Sequence, residues 1–268
     1  MSSENSNNSI KGTDFIQSLE RGLAVIQAFS HEHPTLTVSE AAKLTNLSRP
    51  TVRRILLTLE NLGYLKSING HFTLTARVLS LGYAYISSKN IWDIAHQHMK
   101  DLVDQTGEST SISVFDETEI VYVARIPTKR IMTISLDVGS RLPAFATSMG
   151  QVLLAHLPSS ELEEYFRKVE LTSFTEKTII DKEKLAEKFH EIRKNGWVFV
   201  EQQLEEGLSS IAAPIRNAEG QVIAAINISA HAGRIGKQTR EEVFIPLLLQ
   251  TANRISSEIS KSHYISHL

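Results

Sequence analysis

Three short helical patterns followed by a hairpin pattern, all within residues 15–75, constrain the fold of this chain more than any other feature. The second pattern opens on Thr37-Val38-Ser39-Glu40, which has the form of a capping box because the Thr hydroxyl and the Glu carboxylate can bind free amides at a helix start. A tight turn at Asn46-Leu47-Ser48 leads into the third helix, whose first turn tolerates Pro50. The first pattern is an apolar stripe at steps of three and four residues, formed by Ile16, Leu19, Leu23 and Ile26.

The hairpin pattern follows directly after the third helix. Segments of alternating polarity flank Asn69-Gly70, and Asn-Gly is the strongest short-range hairpin signal. The order helix, helix, turn, helix and hairpin is that of a winged helix-turn-helix, a DNA-binding unit. The sequence therefore predicts such a domain over residues 15–75, after an N-terminal tail over residues 1–14.

The third helix predicts a DNA-reading surface. Proteins of this class place the N-terminal end of that helix in the major groove, where arginine binds guanine and small apolar groups touch thymine. A run of charges on a helix is more often only a solvated face, but its place between a capped turn and a wing favours DNA. The predicted contacts are Arg49, Pro50, Thr51, Arg53 and Arg54 on the helix and Lys66, Asn69 and His71 on the wing.

The distribution of charge agrees with a basic N-terminal domain, although the whole chain carries a net charge of −2. Residues 1–90 hold nine Lys and Arg against six Asp and Glu, a net charge of +3. Residues 91–268 hold nineteen against twenty-four, a net charge of −5. Attraction to phosphate depends on local charge, so the total does not argue against a nucleic-acid partner.

Residues 91–262 alternate helical and strand patterns, with a strand expected near residues 132–136 and a final helix near residues 239–260. Tight turns between adjacent strands predict a mostly antiparallel sheet, and hence an α+β domain. Residues 76–90 show a helical pattern that is apolar on two faces, which predicts a linker helix and a candidate dimer contact. Residues 263–268 are expected to form a tail.

Several functional classes are disfavoured by the sequence. The chain has no cysteine, which removes disulfides, thiolate zinc sites and cysteine nucleophiles and fits the cytoplasm, and no apolar run is long enough to cross a bilayer. It has no phosphate-binding loop, dinucleotide fingerprint, zinc-protease motif or nucleophile elbow. His96 and His98 do not share a helix face, so surface histidines are favoured over metal ligands. We therefore expect no catalytic residue, no metal, no cofactor and no membrane partner.

Residues 139–155 are the most informative part of the second domain. An extended segment containing Pro143 leads into a helix whose first residues are small, so backbone amides could bind an anion at the helix N-terminus. Ordinary capping of a helix after a loop explains the same residues equally well. The composition of the segment leaves both interpretations open.

Four sequence blocks carry a family resemblance, and they span residues 18–25, 48–65, 139–155 and 207–229. All four in this order resemble the IclR family of bacterial transcriptional regulators, from residue 15 to about residue 262. The most similar branch is that of the protocatechuate and β-ketoadipate pathway regulators. The residues that indicate this branch are Arg125-Ile126, Arg130-Ile131-Met132 and the run from Arg141 to Gly150.

The resemblance implies a winged DNA-binding domain joined to a GAF-like effector domain, acting as a homodimer or tetramer and controlled by a small organic acid. Carried over residue by residue, the family's effector cavity corresponds to Leu142, Ser148, Met149, Val200, Ser210, Asn227 and Ser229. Some members hold other residues where Val200, Ser210 and Asn227 stand, so the exact ligand does not transfer. Hydroxyl and amide donors between apolar walls nevertheless suit a carboxylate or a phenol.

This set lacks a cation. Arg125, Arg130 and Arg141 are therefore added as candidate partners for a carboxylate, because guanidinium binds carboxylate in a bidentate manner. The leading hypothesis is a regulator of aromatic-acid catabolic genes, with double-stranded operator DNA as one partner and protocatechuate, 4-hydroxybenzoate or β-ketoadipate as the other. A DNA-tethered enzyme acting on a small carboxylic acid, and a constitutive DNA-binding scaffold without a ligand, are the alternatives.

Overall fold

A computed structural model of the chain describes residues 14–30, 32–82, 91–128 and 136–265. The chain divides into two compact units, Met1–Ser88 and Lys89–Leu268, and each is described by itself. Among the helices of the described residues, none is both long enough and apolar enough to cross a membrane.

The N-terminal unit has the predicted order of a winged helix-turn-helix. Its helices are α1 (Gln17–Gln27), α2 (Val38–Thr45) and α3 (Arg49–Asn61). Its strands are β1 (Leu65–Ile68) and β2 (His71–Leu74), which pair antiparallel as the wing. Asn69 and Gly70 both have positive φ, as the tight Asn-Gly turn between the strands requires.

The predicted helix starts are confirmed atom by atom. Glu40 N donates to Thr37 Oγ1 at 3.3 Å while Thr37 N donates to Glu40 Oε2 at 2.7 Å, which completes the capping box of α2. Asn46 ends α2 in the left-handed conformation, and Ser48 then caps α3 by accepting from Thr51 N. Local hydrogen bonds therefore fix the turn between α2 and α3, which sets the position of the third helix.

The core of the N-terminal unit is small. Its buried residues are Val25, Leu36, Ala41, Ala42, Val52, Leu56, Leu59, Leu65 and Phe72. The apolar stripe of α1 does not join them as its spacing suggests: Val25 is the buried residue of this helix, while Leu19 and Leu23 are exposed. Leu62, the residue that follows the last turn of α3, is also exposed.

The C-terminal unit is α+β, as predicted. Its helices are α4 (Ile91–Thr106), α5 (Ser148–Ala155), α6 (Ser159–Lys168), α7 (Lys182–Asn195) and α8 (Ile245–Ile265). Its strands are β3 (Ser109–Asp116), β4 (Glu119–Ile126), β5 (Arg141–Pro143), β6 (Val198–Glu201), β7 (Leu208–Arg216) and β8 (Val222–His231). They form one antiparallel sheet in the order β5-β4-β3-β8-β7-β6.

Each face of this sheet carries its own core. One face packs against α4 and α8, with residues such as Ile112, Ile226 and Leu248 fully buried. The other face packs against α5, α6 and α7, with Ile120, Leu154 and Phe189 fully buried. All eight residues of α5 are buried, so this helix forms the middle of the second core.

Three expectations differ from the structure or lie outside it. The final helix, expected near residues 239–260, contains a π-helical turn over Arg240–Phe244, which lies between a short α-helical turn, Lys237–Thr239, and α8. The Arg240 guanidinium lies 4.3 Å from the centre of the Phe199 ring. The strand expected near residues 132–136 lies outside the described residues except for its last residue. The linker helix predicted over residues 76–90 is described only to residue 82, and it opens with a 3-10 turn, Ala76–Val78.

Gly150 is required by packing between α5 and the preceding turn. A Cβ atom at this position would overlap the carbonyl oxygen of Ala144 and lie 2.5 Å from its Cα. We expect Gly150→Ala to destabilise the C-terminal unit by about 3 kcal/mol, because both contacts are with rigid backbone. Gly22→Ala on α1 is the control: its Cβ would meet nothing within 4 Å, so it should gain roughly 0.5–1 kcal/mol of helix propensity. Denaturant unfolding of both variants measures the difference, and equal effects would contradict this account.

His156 at the end of α5 should make stability depend on pH. Its Nε2 accepts from Arg216 Nη2 at 3.1 Å, and burial, then Arg216 and Arg193, lower its pKa. The unfolded chain therefore binds this proton at higher pH than the folded chain, so stability is full above about pH 6.5 and falls as pH drops through the folded pKa. His156→Gln should lose less melting temperature than the wild type between pH 7.5 and 5.5. The exposed His190→Gln should behave like the wild type, and a wild-type dependence in His156→Gln would refute the assignment.

Candidate functional site

The N-terminal end of α3 presents a basic surface to solvent. Arg49, Pro50, Arg53 and Arg54 are exposed, as a DNA-reading helix requires. Thr51 is half-buried, and its Oγ1 lies 2.8 Å from Ser48 Oγ, so this hydroxyl also holds the helix cap. Four of the five predicted contacts on α3 are therefore free to meet a ligand, while Thr51 combines that role with a local one.

A groove of about 610 Å³ runs between α1 and α3 in the same unit. Arg21 of α1 lines it together with Thr51 and Arg54 of α3. Sequence reasoning did not single out Arg21, since nothing in the pattern of α1 shows that this side chain faces α3. Arg21 of α1 therefore shares this groove with Arg54 of α3.

The wing displays the other predicted DNA-contact residues. Lys66 on β1 and His71 at the start of β2 are exposed, and His71 Nδ1 lies 3.3 Å from the carbonyl oxygen of Asn69. Leu36 and Phe72 exchange two backbone hydrogen bonds of 2.9 and 2.8 Å, which pin the wing to the segment before α2. The wing is therefore joined to the helical core by its second strand.

The C-terminal unit contains a small cavity of about 30 Å³ between the sheet and α5. It is lined by all seven residues that the family resemblance singled out, namely Leu142, Ser148, Met149, Val200, Ser210, Asn227 and Ser229. These residues come from five separate elements, so tertiary structure brings them together. Sequence reasoning missed the remaining lining residues, Tyr122, Leu136, Ala146, Thr147, Leu204 and Leu208.

The floor of the cavity is polar because strand register aligns small polar residues on one face of the sheet. Ser210 of β7 lies opposite Ser229 of β8, and Asn227 of β8 lies opposite Ser111 of β3. Ser210 Oγ donates to Ser148 Oγ at 2.7 Å, and Asn227 Oδ1 accepts from Ser111 N at 3.0 Å. These hydrogen bonds offset the cost of burying polar groups while leaving further donors and acceptors beside the cavity.

The three candidate arginines have different positions. Arg125 is half-buried, and its Nη1 donates to Ser111 Oγ at 3.1 Å. Ser111 lies opposite Asn227, a lining residue of the cavity, in the pairing of β3 with β8. Arg141 instead pairs with Asp116 and Glu119 on the surface, each at 2.7 Å, and its hydrogen bond to Glu119 is the main cause of its raised pKa. Arg130 lies outside the described residues. Arg125 thus contacts the strand neighbour of a lining residue, whereas Arg141 is held by surface carboxylates, and neither arginine is among the residues that line the cavity.

The lining residues are uncharged at neutral pH. Burial raises the pKa of Tyr122 to about 12, so this phenol keeps its proton and can donate a hydrogen bond. The residues that line the cavity include hydroxyl, amide and thioether groups but no carboxylate, lysine or histidine. A ligand in this cavity would therefore meet neutral donors and acceptors.

The start of α5 bears on the two interpretations of residues 139–155, which are helix capping and anion binding. Thr147 caps the helix by accepting from Gly150 N at 3.1 Å, which is ordinary capping. Thr147 and Ser148 also line the cavity, so the same helix start faces the candidate ligand site. Capping and ligand binding are thus compatible at this position.

One wall of the cavity is a turn held by hydrogen bonds to buried glutamine. Leu204 lies between β6 and β7, and its neighbour Gln203 accepts from Gln151 Nε2 of α5 at 2.8 Å. Thr178 Oγ1 donates to the carbonyl oxygen of Gln203 at 2.6 Å. This wall is therefore attached to α5 and to the segment before α7 by specific bonds rather than by apolar packing alone.

Among the residues that the structure describes, no group of three or more histidine, cysteine or acidic side chains is placed to hold a metal ion. His98 Nε2 instead lies 2.9 Å from Glu258 Oε1, which joins α4 to α8.

Comparison with known proteins follows the same division of the chain. The family model described as the IclR helix-turn-helix domain matches residues 18–67, and that of the bacterial transcriptional regulator IclR C-terminal domain matches residues 83–257. The Pca regulon regulatory protein of Pseudomonas putida is 40% identical over 92% of this chain and 85% of that protein. The p-hydroxybenzoate hydroxylase transcriptional activator of Acinetobacter baylyi is 36% identical over 93% of this chain and 94% of that protein.

A solved structure extends the comparison to the fold. It is an IclR homologue from Microbacterium hydrocarbonoxydans in complex with 4-hydroxybenzoate, with a TM-score of 0.81 and 25% identity. The match covers 90% of this chain and 98% of that chain, and so includes both units.

Proposed function

This chain belongs to the IclR family of bacterial transcriptional regulators, and on that premise we propose that it controls genes of aromatic-acid catabolism. Its N-terminal unit binds double-stranded operator DNA, and a small organic acid bound in its C-terminal unit modulates that binding. Both relatives named above regulate genes of aromatic-acid breakdown by their names. The proposed site of action is the cytoplasm, where the operator lies.

The basic end of α3 carries the DNA-binding part of the proposal. The four exposed residues Arg49, Pro50, Arg53 and Arg54 occupy the end of the helix that enters the major groove in helix-turn-helix proteins. Lys66 and His71 on the wing supply contacts to the backbone or the minor groove. The charge of +3 on residues 1–90 provides the phosphate attraction that all such contacts share.

The proposal that the C-terminal unit binds an effector rests on the polar floor of the cavity and on Arg125, which contacts Ser111 opposite the lining residue Asn227. An aromatic acid needs a cation for its carboxylate, neutral groups for its hydroxyls and apolar walls for its ring, and Arg125, Ser210 and Met149 offer one of each. Protocatechuate and 4-hydroxybenzoate fit this chemistry with a ring, and β-ketoadipate fits it without one. A sensor rather than an enzyme is proposed, since the lining holds no carboxylate or histidine to move protons.

The size of the cavity suggests how binding reaches the DNA. A volume of about 30 Å³ admits a water molecule but not a benzoate ring, so the ligand must displace a wall. The turn carrying Leu204 is the proposed wall, because hydrogen bonds from Gln151 and Thr178 to Gln203, and not apolar packing alone, attach it. A ligand that favours the open wall shifts the protein between two states by its difference in affinity for them.

A homodimer or tetramer is the proposed assembly. Exposed apolar side chains on the N-terminal unit, including Leu19 and Leu23 of α1, would be covered in such an assembly. Paired reading helices would then contact half-sites about 34 Å apart, or a multiple of that. A footprint of the wild type on DNA upstream of a catabolic operon, with and without each acid, tests the whole proposal.

Arg53 should contribute directly to operator binding. We expect Arg53→Ala to weaken binding by about 1–3 kcal/mol, restricted to the operator if Arg53 reads a base and uniform across sequences if it holds a phosphate. A uniform loss should also flatten the salt dependence, because one counterion fewer is released. Lys100→Ala, an exposed cation on α4, is the control. Fluorescence anisotropy at several salt concentrations measures these effects, and an unchanged affinity in Arg53→Ala would contradict the assignment.

Arg125 and Arg141 provide a matched pair for the effector site. Arg125→Gln should weaken binding of the inducing acid by about tenfold or more, because it removes a charged hydrogen bond to the carboxylate. Arg141→Gln should leave ligand affinity unchanged, since that guanidinium pairs with Asp116 and Glu119 on the surface. Calorimetry against the three acids gives both affinities, and anisotropy checks that operator binding survives. A larger loss in Arg141→Gln than in Arg125→Gln would overturn this choice of cation.

A further inference from the structure

Glu60 is an unexpected residue on the reading helix. The sequence of α3 contains three arginines and a single acidic residue, Glu60, in its last turn. An acid close to DNA repels phosphate, so its charge alone would weaken the proposed binding. The reason for its presence lies in its contacts.

Glu60 joins α3 to the wing through one oxygen atom. Its Oε1 accepts from the backbone N of Ser67 at 2.9 Å and from the Ser67 hydroxyl at 2.6 Å. Both donors belong to β1, seven residues further along the chain. Charge-assisted bonds of this kind are shorter and more directional than neutral ones, and two on one residue fix an orientation.

The strand register explains why this amide is available. Phe72 lies opposite Ser67, and its N and O atoms both bond to Leu36 on the far side of β2. Ser67 and Phe72 are therefore a pair without mutual hydrogen bonds, so the amide of Ser67 points away from β2. Leu36 thus holds the wing from one side and Glu60 from the other.

The same register places Lys66 and His71 on the face of the wing away from Glu60. Side chains alternate along a strand, so Ser67 and Phe72 share the inner face while Lys66 and His71 share the outer one. Phe72 is buried, and Lys66 and His71 are exposed. A two-stranded hairpin is marginal by itself, so the direction of its outer face depends on how its edges are held.

We infer that Glu60 is a positioning residue for DNA binding, which sets the angle of the wing relative to the reading helix. Lys66 and His71 then meet the DNA in register with Arg53. The inference rests on the proposed DNA-binding function, and it assigns Glu60 no contact with DNA. The gain from an oriented wing outweighs the repulsion of its charge.

Two substitutions separate the tether from the charge. Glu60→Gln keeps an acceptor oxygen and removes the charge, so it should bind the operator as well as the wild type or better. Glu60→Ala removes both, and it should bind about three- to tenfold more weakly than Glu60→Gln. Glu20→Gln and Glu20→Ala on α1 are the matched controls, and they should bind equally. The probe is the DNA fragment that the wild-type footprint defines.

A double-mutant cycle separates positioning from general stability. If Glu60 acts through the wing, Glu60→Ala should reduce operator affinity only slightly in a protein that already carries Lys66→Ala and His71→Ala. The hydroxyl-radical footprint of the Glu60→Ala single variant should shrink only under the wing. Either of two results would overturn the inference. One is an equal operator affinity for Glu60→Ala and Glu60→Gln, and the other is a loss of affinity from Glu60→Ala that stays undiminished when Lys66 and His71 are replaced by alanine. Melting curves of each variant show whether folding contributes.

Hydrogen exchange tests the tether without DNA. The amide of Ser67 should exchange faster in Glu60→Ala than in the wild type, while Glu60→Gln retains most of the protection. No change in Glu60→Ala would overturn the tether itself. Absence of any wild-type footprint would instead overturn the proposed DNA binding, so the two failures are distinguishable.

Discussion

The C-terminal unit depends on burying both faces of one antiparallel sheet. The residues of β7 and β8 alternate between two cores, so that Ile226 faces α8 while Ala225 faces α5. A sheet covered on both faces has no side on which polar residues can remain in water. Polar side chains on these strands are therefore costly to bury without a partner inside the protein, and Ser209 Oγ of β7 is buried without one among the described residues.

A row of such polar residues runs across β3, β8 and β7, and Ser210, Asn227 and Ser229 of this row line the cavity. Ser111, Ser113, Ser210, Asn227 and Ser229 stand where apolar residues would pack more simply. Four of them bond within the protein: Ser111 Oγ accepts from Arg125 Nη1, Ser113 Oγ donates to Met149 Sδ, Ser210 Oγ donates to Ser148 Oγ, and Asn227 Oδ1 accepts from Ser111 N. Such a network favours specificity over packing, because an apolar isostere would leave these groups unpaired. It is the part of the core in which stability and recognition compete.

The N-terminal unit is organised by short-range bonds instead. Its helix starts are capped within three residues by Thr37 and Ser48, and these caps were readable from the sequence. The wing is held by longer-range bonds, to Leu36 on one side and to Glu60 on the other. Local caps at both helix starts therefore fix the turn that positions α3 within this unit.

The sequence by itself determined the elements whose causes are local: the capping box, the Asn-Gly turn, the basic face of α3 and the alternation of strands. Resemblance to a family also selected the seven cavity residues before any geometry was known. Tertiary structure alone decided that Arg125 contacts Ser111 while Arg141 pairs with Asp116, and that Leu23 of α1 is exposed while Val25 is buried. It also introduced the π-helical turn before α8. These outcomes depend on strand register and packing between distant segments, which hydrophobic periodicity along one segment does not encode.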